Sequence, residues 1–424
     1  MQRKYPLLFV WSIVVGCVIG MIGNSGQIIY SSLGVLIKPL EETFAWTRGE
    51  ISLALTFSAI TSALSIPLAG MVIDKFGPRS SLLFSLTLFG LALLIGPLFI
   101  TTLRDFYLFI MVIAFLGSPT NTVAYVHVIS NWFNRRRGLF IGITASGSGL
   151  GFAITPLLVN WVLESGPWYY GYQALGVYLL CIILPCVYLL IKNRPEDVGL
   201  LMDGGDARTT KTDDAVTEEQ PSILFKQAIK TRIFWLLVIS VVLVASSLTG
   251  ILSQLIPMLI DKGISVNTAT LVASTMGMSM AVARVMIGFL LDRYFAPHVA
   301  FYTLMLSALA LITLICGNHI VFAFIAASLM GLGIGAEIDL MGYLASRYFG
   351  VKQFGLIFGC IFAAYIFGTG LGPYVVGNAY DTHGNYDGIL YVCTLGLIIA
   401  ASMFRFFYPY DTFLTAQSEG KAKI

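Results

Sequence analysis

The sequence predicts an all-α integral membrane protein of twelve transmembrane helices, arranged as two related six-helix bundles. Three observations carry this: an apolar composition, twelve segments of membrane-crossing length, and an internal repeat at a constant offset. Of 424 residues, 57% are hydrophobic and only 11% are charged, against about 25% charged in soluble domains. With a mean hydropathy of +0.84, a soluble fold could not cover its surface with polar groups, so lipid is the natural solvent.

A helix rises about 1.5 Å per residue, so roughly 20 apolar residues cross a hydrocarbon core of about 30 Å. Segments of this kind lie near 7–30, 50–72, 80–100, 105–130, 138–162, 169–191, 232–257, 267–290, 298–316, 319–343, 355–378 and 387–409. An even number of spans puts both termini on one side. Twenty of the 25 Lys and Arg residues fall in the loops and tails of that side. Lys38, Arg48, Arg104 and Lys262 fall on the opposite side, and Arg284 lies inside a span. Cationic loops stay in the cytoplasm, so both termini are expected to be cytoplasmic.

The longest polar stretch, 192–231, reads as a flexible cytoplasmic linker with a short helix near 222–230. It divides the chain into an N-terminal six-helix bundle (1–191) and a C-terminal six-helix bundle with a short tail (232–424). The six cysteines sit inside apolar runs with no paired spacing, and the four histidines show no ligand spacing. Free buried thiols are expected, with no disulfide framework, metal site or cofactor. A net charge of +3 gives no reason to expect nucleic acid.

The halves repeat. Gly70-Met-Val-Ile-Asp74-Lys75-Phe76 recurs as Gly288-Phe-Leu-Leu-Asp292-Arg293-Tyr294, an offset of 218. Trp132-Phe133 followed by Arg137-Gly138-Leu139-Phe140-Ile141-Gly142 recurs as Tyr348-Phe349 followed by Phe354-Gly355-Leu356-Ile357-Phe358-Gly359. Parallel repeats of this kind place a solute site near the membrane midplane, between the halves.

Asp74-Lys-Phe-Gly-Pro-Arg79-Ser after the second span resembles the loop signature of the major facilitator superfamily, and the copy after the eighth span is a degenerate form of it. The resemblance covers the chain apart from 192–231. It implies the major facilitator fold and secondary active transport by a monomeric, alternating-access carrier rather than an enzyme. The run from Gly34 through Lys38-Pro-Leu-Glu41 and Trp46-Thr-Arg48 to Ser52 is similar to the monocarboxylate porter and oxalate–formate exchanger branch. So are Asn131-Trp-Phe-Asn-Arg135-Arg-Arg-Gly138 and the Gly335-Ala-Glu337-Ile-Asp339 run. The branch implies proton-linked uptake of a small organic monoanion across a bacterial inner membrane. A dicarboxylate exchanger, a carrier of siderophore-like chelates or drugs, and a transporter-like sensor are the other readings.

Arg284 lies in the middle of the eighth span, within Met280-Ala-Val-Ala-Arg-Val-Met-Ile-Gly288. A charge at that depth costs at least about 2.5–3.5 kcal/mol on insertion scales, so it needs a wet cavity or a partner. A guanidinium grips a carboxylate through two parallel hydrogen bonds. In the branch resembled, an arginine of this span binds the substrate carboxylate; a structural ion pair is the plainer role. Many monocarboxylate porters carry an aspartate one turn earlier, where this chain has Met280. Glu337 and Asp339 in the tenth span are the substitutes on offer, for proton coupling or as gate latches. Two residues apart is about 200° around a helix, so they face different ways. Asn24, Gln27, Asn121, Tyr125, Gln254 and Tyr365 are the polar candidates for lining the same cavity, and each serves equally well as a helix–helix hydrogen bond. Asp74, Arg79, Asp292 and Arg293 read as a conformational switch at the helix ends. Gly147-Ser-Gly-Leu-Gly151 looks like a nucleotide fingerprint but follows no strand, so tight helix packing is expected of it instead.

Overall fold

The computed structural model describes residues 5–133, 137–195, 224–317, 319–350 and 353–409. The described residues are helical almost throughout, with no strand. The first half comprises α1 (Tyr5–Ile22), α2 (Ser25–Phe44), α3 (Arg48–Phe76), α4 (Pro78–Ile95), α5 (Leu103–Leu116), α6 (Thr122–Trp132), α7 (Arg137–Leu163), α8 (Tyr169–Tyr178) and α9 (Leu184–Leu190). A short α10 (Phe225–Ala228) precedes the second half, which comprises α11 (Arg232–Asp261), α12 (Val266–Arg293), α13 (Ala296–Cys316), α14 (Ile320–Phe349), α15 (Phe354–His383) and α16 (Asp387–Met403).

Eleven of these rods are long and apolar enough to cross a membrane. The twelfth, the fourth in chain order, is split. Gly117 ends α5, Ser118-Pro119-Thr120 forms one turn of 3-10 helix, and α6 starts after Asn121. Neither piece alone reaches 18 residues, yet end to end they continue as one span. Span one is also broken, at Gly23-Asn24, and then runs to Phe44 rather than ending near residue 30. The stretch after residue 30 reads as a loop in the sequence because polar residues interrupt it; of these, Lys38 reaches Asp261 of the other half, whereas Glu41 meets Arg48 of its own. Six of the eight positions from Leu33 to Leu40 are buried. In span six, α8 and α9 are joined by a π turn, Leu179–Ile183, just before Pro185.

Helix starts follow local chemistry. Thr47 and Glu50 close a capping box on α3, and Thr102 with Asp105 does the same for α5. Thr231 and Ser265 cap α11 and α12. The turn between α3 and α4 needs Gly77, whose φ of +82° is left-handed and whose open flank receives the Asn193 side chain. Of the predicted linker, 196–223 lies outside the described residues; the expected short helix appears as the single turn α10. The thiols are not uniformly buried: Cys17 and Cys393 are, but Cys181 and Cys316 are exposed.

The two faces of the bundle differ in how the halves meet. The turns at 45–47, 262–265 and 384–386 lie at the face away from the chain termini, called here the distal face. There the halves touch closely. On α7 and α12, a Cβ on Gly149 would fall on the backbone of Ala281, and one on Gly277 would fall on that of Ala153. Ser274 Oγ donates to the Ala153 carbonyl at 2.7 Å, and Asn160 Nδ2 to Asn267 Oδ1 at 2.6 Å. On α3 and α15, Gly377 sits 2.9 Å from the Arg48 carbonyl by the same measure, and Gly370 sits 3.1 Å from Ala59. Toward the terminal face the same helix sides separate. Gly70, Gly142, Gly288 and Gly359 have nothing within 4 Å of an added Cβ. Gly142 is one heptad from Gly149, and Gly288 one heptad from Ala281, so these open positions continue the faces that touch distally. The structure is therefore closed at the distal face and open toward the termini.

The Gly147-to-Gly151 run packs helices. Gly147 and Gly151 approach the backbone of Val18 and Ile22 on α1, while Gly149 faces α12 across the halves. We expect Gly149→Leu to force α7 and α12 apart, with loss of transport and lower thermal stability in detergent. Gly142→Leu, at the open end, should leave the melting temperature unchanged; equal effects of the two would contradict this packing.

Candidate functional site

Arg284 stands at the apex of the opening. It lies one heptad beyond Gly277 on α12, just where the contact with α7 ends. Its side chain is 7% exposed, and its Nε has no hydrogen-bond partner. Among the described residues its one charged neighbour within 4.0 Å is Asp339 of α14, with Nη1 3.9 Å from Oδ1. That separation is too long for a hydrogen bond, so the guanidinium holds a counter-charge without spending its paired donors. Asp339 is one-third exposed, facing the opening.

Glu337 points elsewhere, as the 200° rotation requires. It is 7% exposed, and neither carboxyl oxygen has a partner. It lines an apolar cavity inside the second half with Ser240, Val244, Leu304, Met341 and Phe404. The two acids of span ten are thus divided: Asp339 attends Arg284, and Glu337 faces the bundle interior. Tyr365 of α15 lies within electrostatic range of both Glu337 and Arg284, and of Tyr30 across the halves.

Several polar candidates are committed elsewhere. Asn24 caps α2, its Oδ1 accepting from Gly26 N at 2.8 Å. Tyr125 is wholly buried in the first half, its ring against Gly20. Gln254 is fully buried at the distal face; its Nε2 donates to Ser52 Oγ at 2.7 Å and its Oε1 accepts from Tyr386 at 3.0 Å. Gln27 is half-buried on α2, and Asn121 is half-buried at the break between α5 and α6. Of the residues expected to line one cavity with Arg284, Tyr365 comes within electrostatic range of it.

The four residues expected to act as a switch lie at the terminal face. Asp74 is exposed. Arg79 stays within its own half: its Nη2 donates to the Tyr188 carbonyl at 2.8 Å, and its backbone N donates to Asn193 Oδ1 at 2.9 Å. Arg293 lies over the ring of Phe289, one turn back on its own helix, at 4.1 Å. The Asp292 side chain lies outside the described residues.

The charged cluster that joins the halves is at the distal face and was missed. Arg48, 3% exposed, starts α3. Its Nη1 lies 2.5 Å from Asp261 Oδ2, its Nε lies 3.0 Å from Glu41 Oε1, and it also donates to Tyr386 Oη. Its guanidinium lies 3.8 Å from the Tyr380 ring centroid. Lys38 Nζ lies 2.5 Å from Asp261 Oδ1. Asp381 of α15 receives the backbone N–H groups of Arg48 at 3.1 Å and Gly49 at 2.7 Å, at the positive end of the α3 dipole. A signal was available: Lys38 and Arg48 are two of only four cations on the charge-poor side.

Among the described residues, eleven membrane-length helices and one split span, in repeated halves closed at one face over a buried arginine, define a polytopic carrier. The Major Facilitator Superfamily model matches residues 17–294 and 243–423, so the chain belongs to that superfamily. It is similar to monocarboxylate transporter 12 of Mus musculus, at 20% identity over 93% of this chain and 85% of the relative. It is similar to monocarboxylate transporter 1 of Bos taurus, at 24% identity over 92% and 83%. The fold is shared with a crystal structure of a D-xylose–proton symporter, at TM-score 0.71 and 14% identity, covering 95% of this chain and 98% of the other. The protein is a membrane transporter and not an enzyme.

Proposed function

We propose that this carrier takes up a small organic monoanion together with a proton, and that Arg284 holds the substrate carboxylate. The observation that carries the reading is the state of Arg284: buried, at the apex of the opening, with free donors and only a loose counter-charge. A bidentate carboxylate supplies the two parallel hydrogen bonds that Asp339 at 3.9 Å does not make. One cation at the apex suits one negative charge. The likeness to monocarboxylate transporters supports the same class.

Coupling follows from displacement. An arriving carboxylate takes Arg284 from Asp339, and the released Asp339, open to the cavity, binds a proton. The loaded centre then carries no more net charge than the empty one, so the halves can rock around it without moving uncompensated charge through the apolar closure. By the distribution of cationic loops, the termini and the opening seen here face the cytoplasm, and the membrane is a bacterial inner membrane. On this assignment Asp74, Arg79, Asp292 and Arg293 act at the cytoplasmic face when the opening closes.

The test is uptake of labelled C2–C6 organic acids into proteoliposomes, with and without an inward proton gradient. Asp339→Asn should abolish accumulation driven by the gradient while leaving counterflow exchange of substrate. Glu337→Gln should keep both if Glu337 takes no part in coupling. The reverse pattern would move the proton site to Glu337, and uptake indifferent to pH but driven by internal anion would replace symport by exchange.

A further inference from the structure

Three aromatic residues of α15 form a ladder beside Arg284. Phe358 and Phe362 stack with centroids 5.9 Å apart and planes 28° apart, and Phe362 and Tyr365 with centroids 5.6 Å apart at the same angle. The spacing is one turn, then one turn, so all three share one side of the helix. Seven residues make that stripe about 10 Å long.

The direction of the stripe follows from its surroundings. Leu356, Phe367 and Leu371 are the exposed large residues of this stretch of α15, and the ladder lies on the opposite side, away from lipid. One turn beyond Tyr365 on the ladder side is Thr369, whose carbonyl accepts from Tyr30 of the first half at 3.3 Å. The stripe therefore faces the seam between the halves, below the distal closure. At its other end Phe358 packs over Gly342, one turn from Asp339 on α14. Tyr365 feels the charge of Arg284. The rings are only half-buried, although apolar faces pointing into a protein interior are normally covered.

We propose that the transported monoanion carries a planar apolar group of aryl size, with its carboxylate on Arg284 and its ring along Phe358, Phe362 and Tyr365. This rests on the monocarboxylate reading above and sharpens it. Flat rings offer offset-stacking partners to another flat ring, whereas a two- or three-carbon acid is too short to lie along both Phe362 and Tyr365. Tyr365, at the end of the ladder and within electrostatic range of Arg284, sets the distance between the ring and the carboxylate.

The experiment is equilibrium binding to the purified full chain, with phenylacetate, benzoate, acetate and lactate as probes. Phe362→Ala, Phe362→Leu and Arg284→Ala are measured beside the parent. Phenylacetate should bind at least about tenfold tighter than acetate, and Phe362→Ala should remove about tenfold of that while leaving acetate within about twofold. Phe362→Leu keeps apolar volume without a ring and should fall between. Equal affinity for aryl and short acids in the parent would overturn the proposal, as would a Phe362→Ala loss shared equally by acetate, which would mark a merely structural ring. In those cases binding that still depends on Arg284 leaves the carboxylate reading standing. If no carboxylate binds through Arg284, that reading falls and this one falls with it.

Discussion

Arg284→Ala is expected to weaken carboxylate binding by roughly 10²–10³-fold and to remove measurable uptake. Two charge-assisted hydrogen bonds are lost together, each worth about 1.5–3 kcal/mol, at a site 7% exposed to solvent. The variant also strips Asp339 of its counter-charge, so part of any effect could come from the acid left behind. The paired variant Arg284→Ala/Asp339→Ala removes that ambiguity: it should restore thermal stability toward the parent without restoring binding. Arg284→Lys keeps the charge but not the planar fork and should retain a small fraction of affinity. Binding measured directly, with size-exclusion behaviour as the check on folding, decides the matter. Unchanged affinity in Arg284→Ala would eliminate a carboxylate site on α12.

The second large effect is expected at the distal face. Arg48→Ala should shift the carrier from the state seen here toward one open distally. Arg48 joins Glu41 of its own half to Asp261 and Tyr386 of the other. Removing one member of a wholly buried ion pair costs about 3–5 kcal/mol. Asp261 and Glu41 are each about a quarter exposed, so roughly 1–3 kcal/mol is the fitting range. Because the bonds cross between halves that each keep their own core, the loss falls on the balance of states more than on folding. A change of that size alters the ratio of states about 5- to 150-fold. The readout is the labelling rate of a cysteine placed at Ser253 on the distal closure, against one placed at Gly288 in the terminal opening. Labelling at 253 should rise and at 288 fall in Arg48→Ala, and Asp261→Asn should act in the same direction with a smaller shift because the Arg48 side chain still donates to Tyr386. No change at either position would mean that glycine packing alone maintains the closure.

The sequence was legible wherever a property depends on neighbours along the chain. Apolar runs gave the rods, and the repeat gave their pairing into halves. Span four was the exception that local reasoning explains afterwards: Gly117-Ser118-Pro119 interrupts the hydrogen-bond ladder, but end-to-end stacking of α5 and α6 preserves the crossing. Arg284 was legible because an unpaired charge inside a span is anomalous by itself. The divergence of Glu337 and Asp339 was legible because helical rotation is fixed by spacing.

What those side chains meet was not legible, because it depends on which helices adjoin. Asn24 and Gln254 look alike as polar residues within apolar runs, yet one closes a helix end in its own span and the other bridges Ser52 and Tyr386, more than 130 residues away in each direction. The latch of Arg48, Asp261 and Asp381 draws on spans two, seven and eleven, which no local pattern connects. The amino-acid sequence by itself determined a twelve-span carrier of the major facilitator type with a buried cation in its eighth span, since hydrophobic length, charge asymmetry and repetition are properties of the linear chain. Only the tertiary structure decided that Asp339 faces that cation, that Glu337 does not, and that the closed face is the distal one, because the first two are set by how α12 and α14 pack within the second half and the third by the approach of helices from opposite halves, which packing and not periodicity determines.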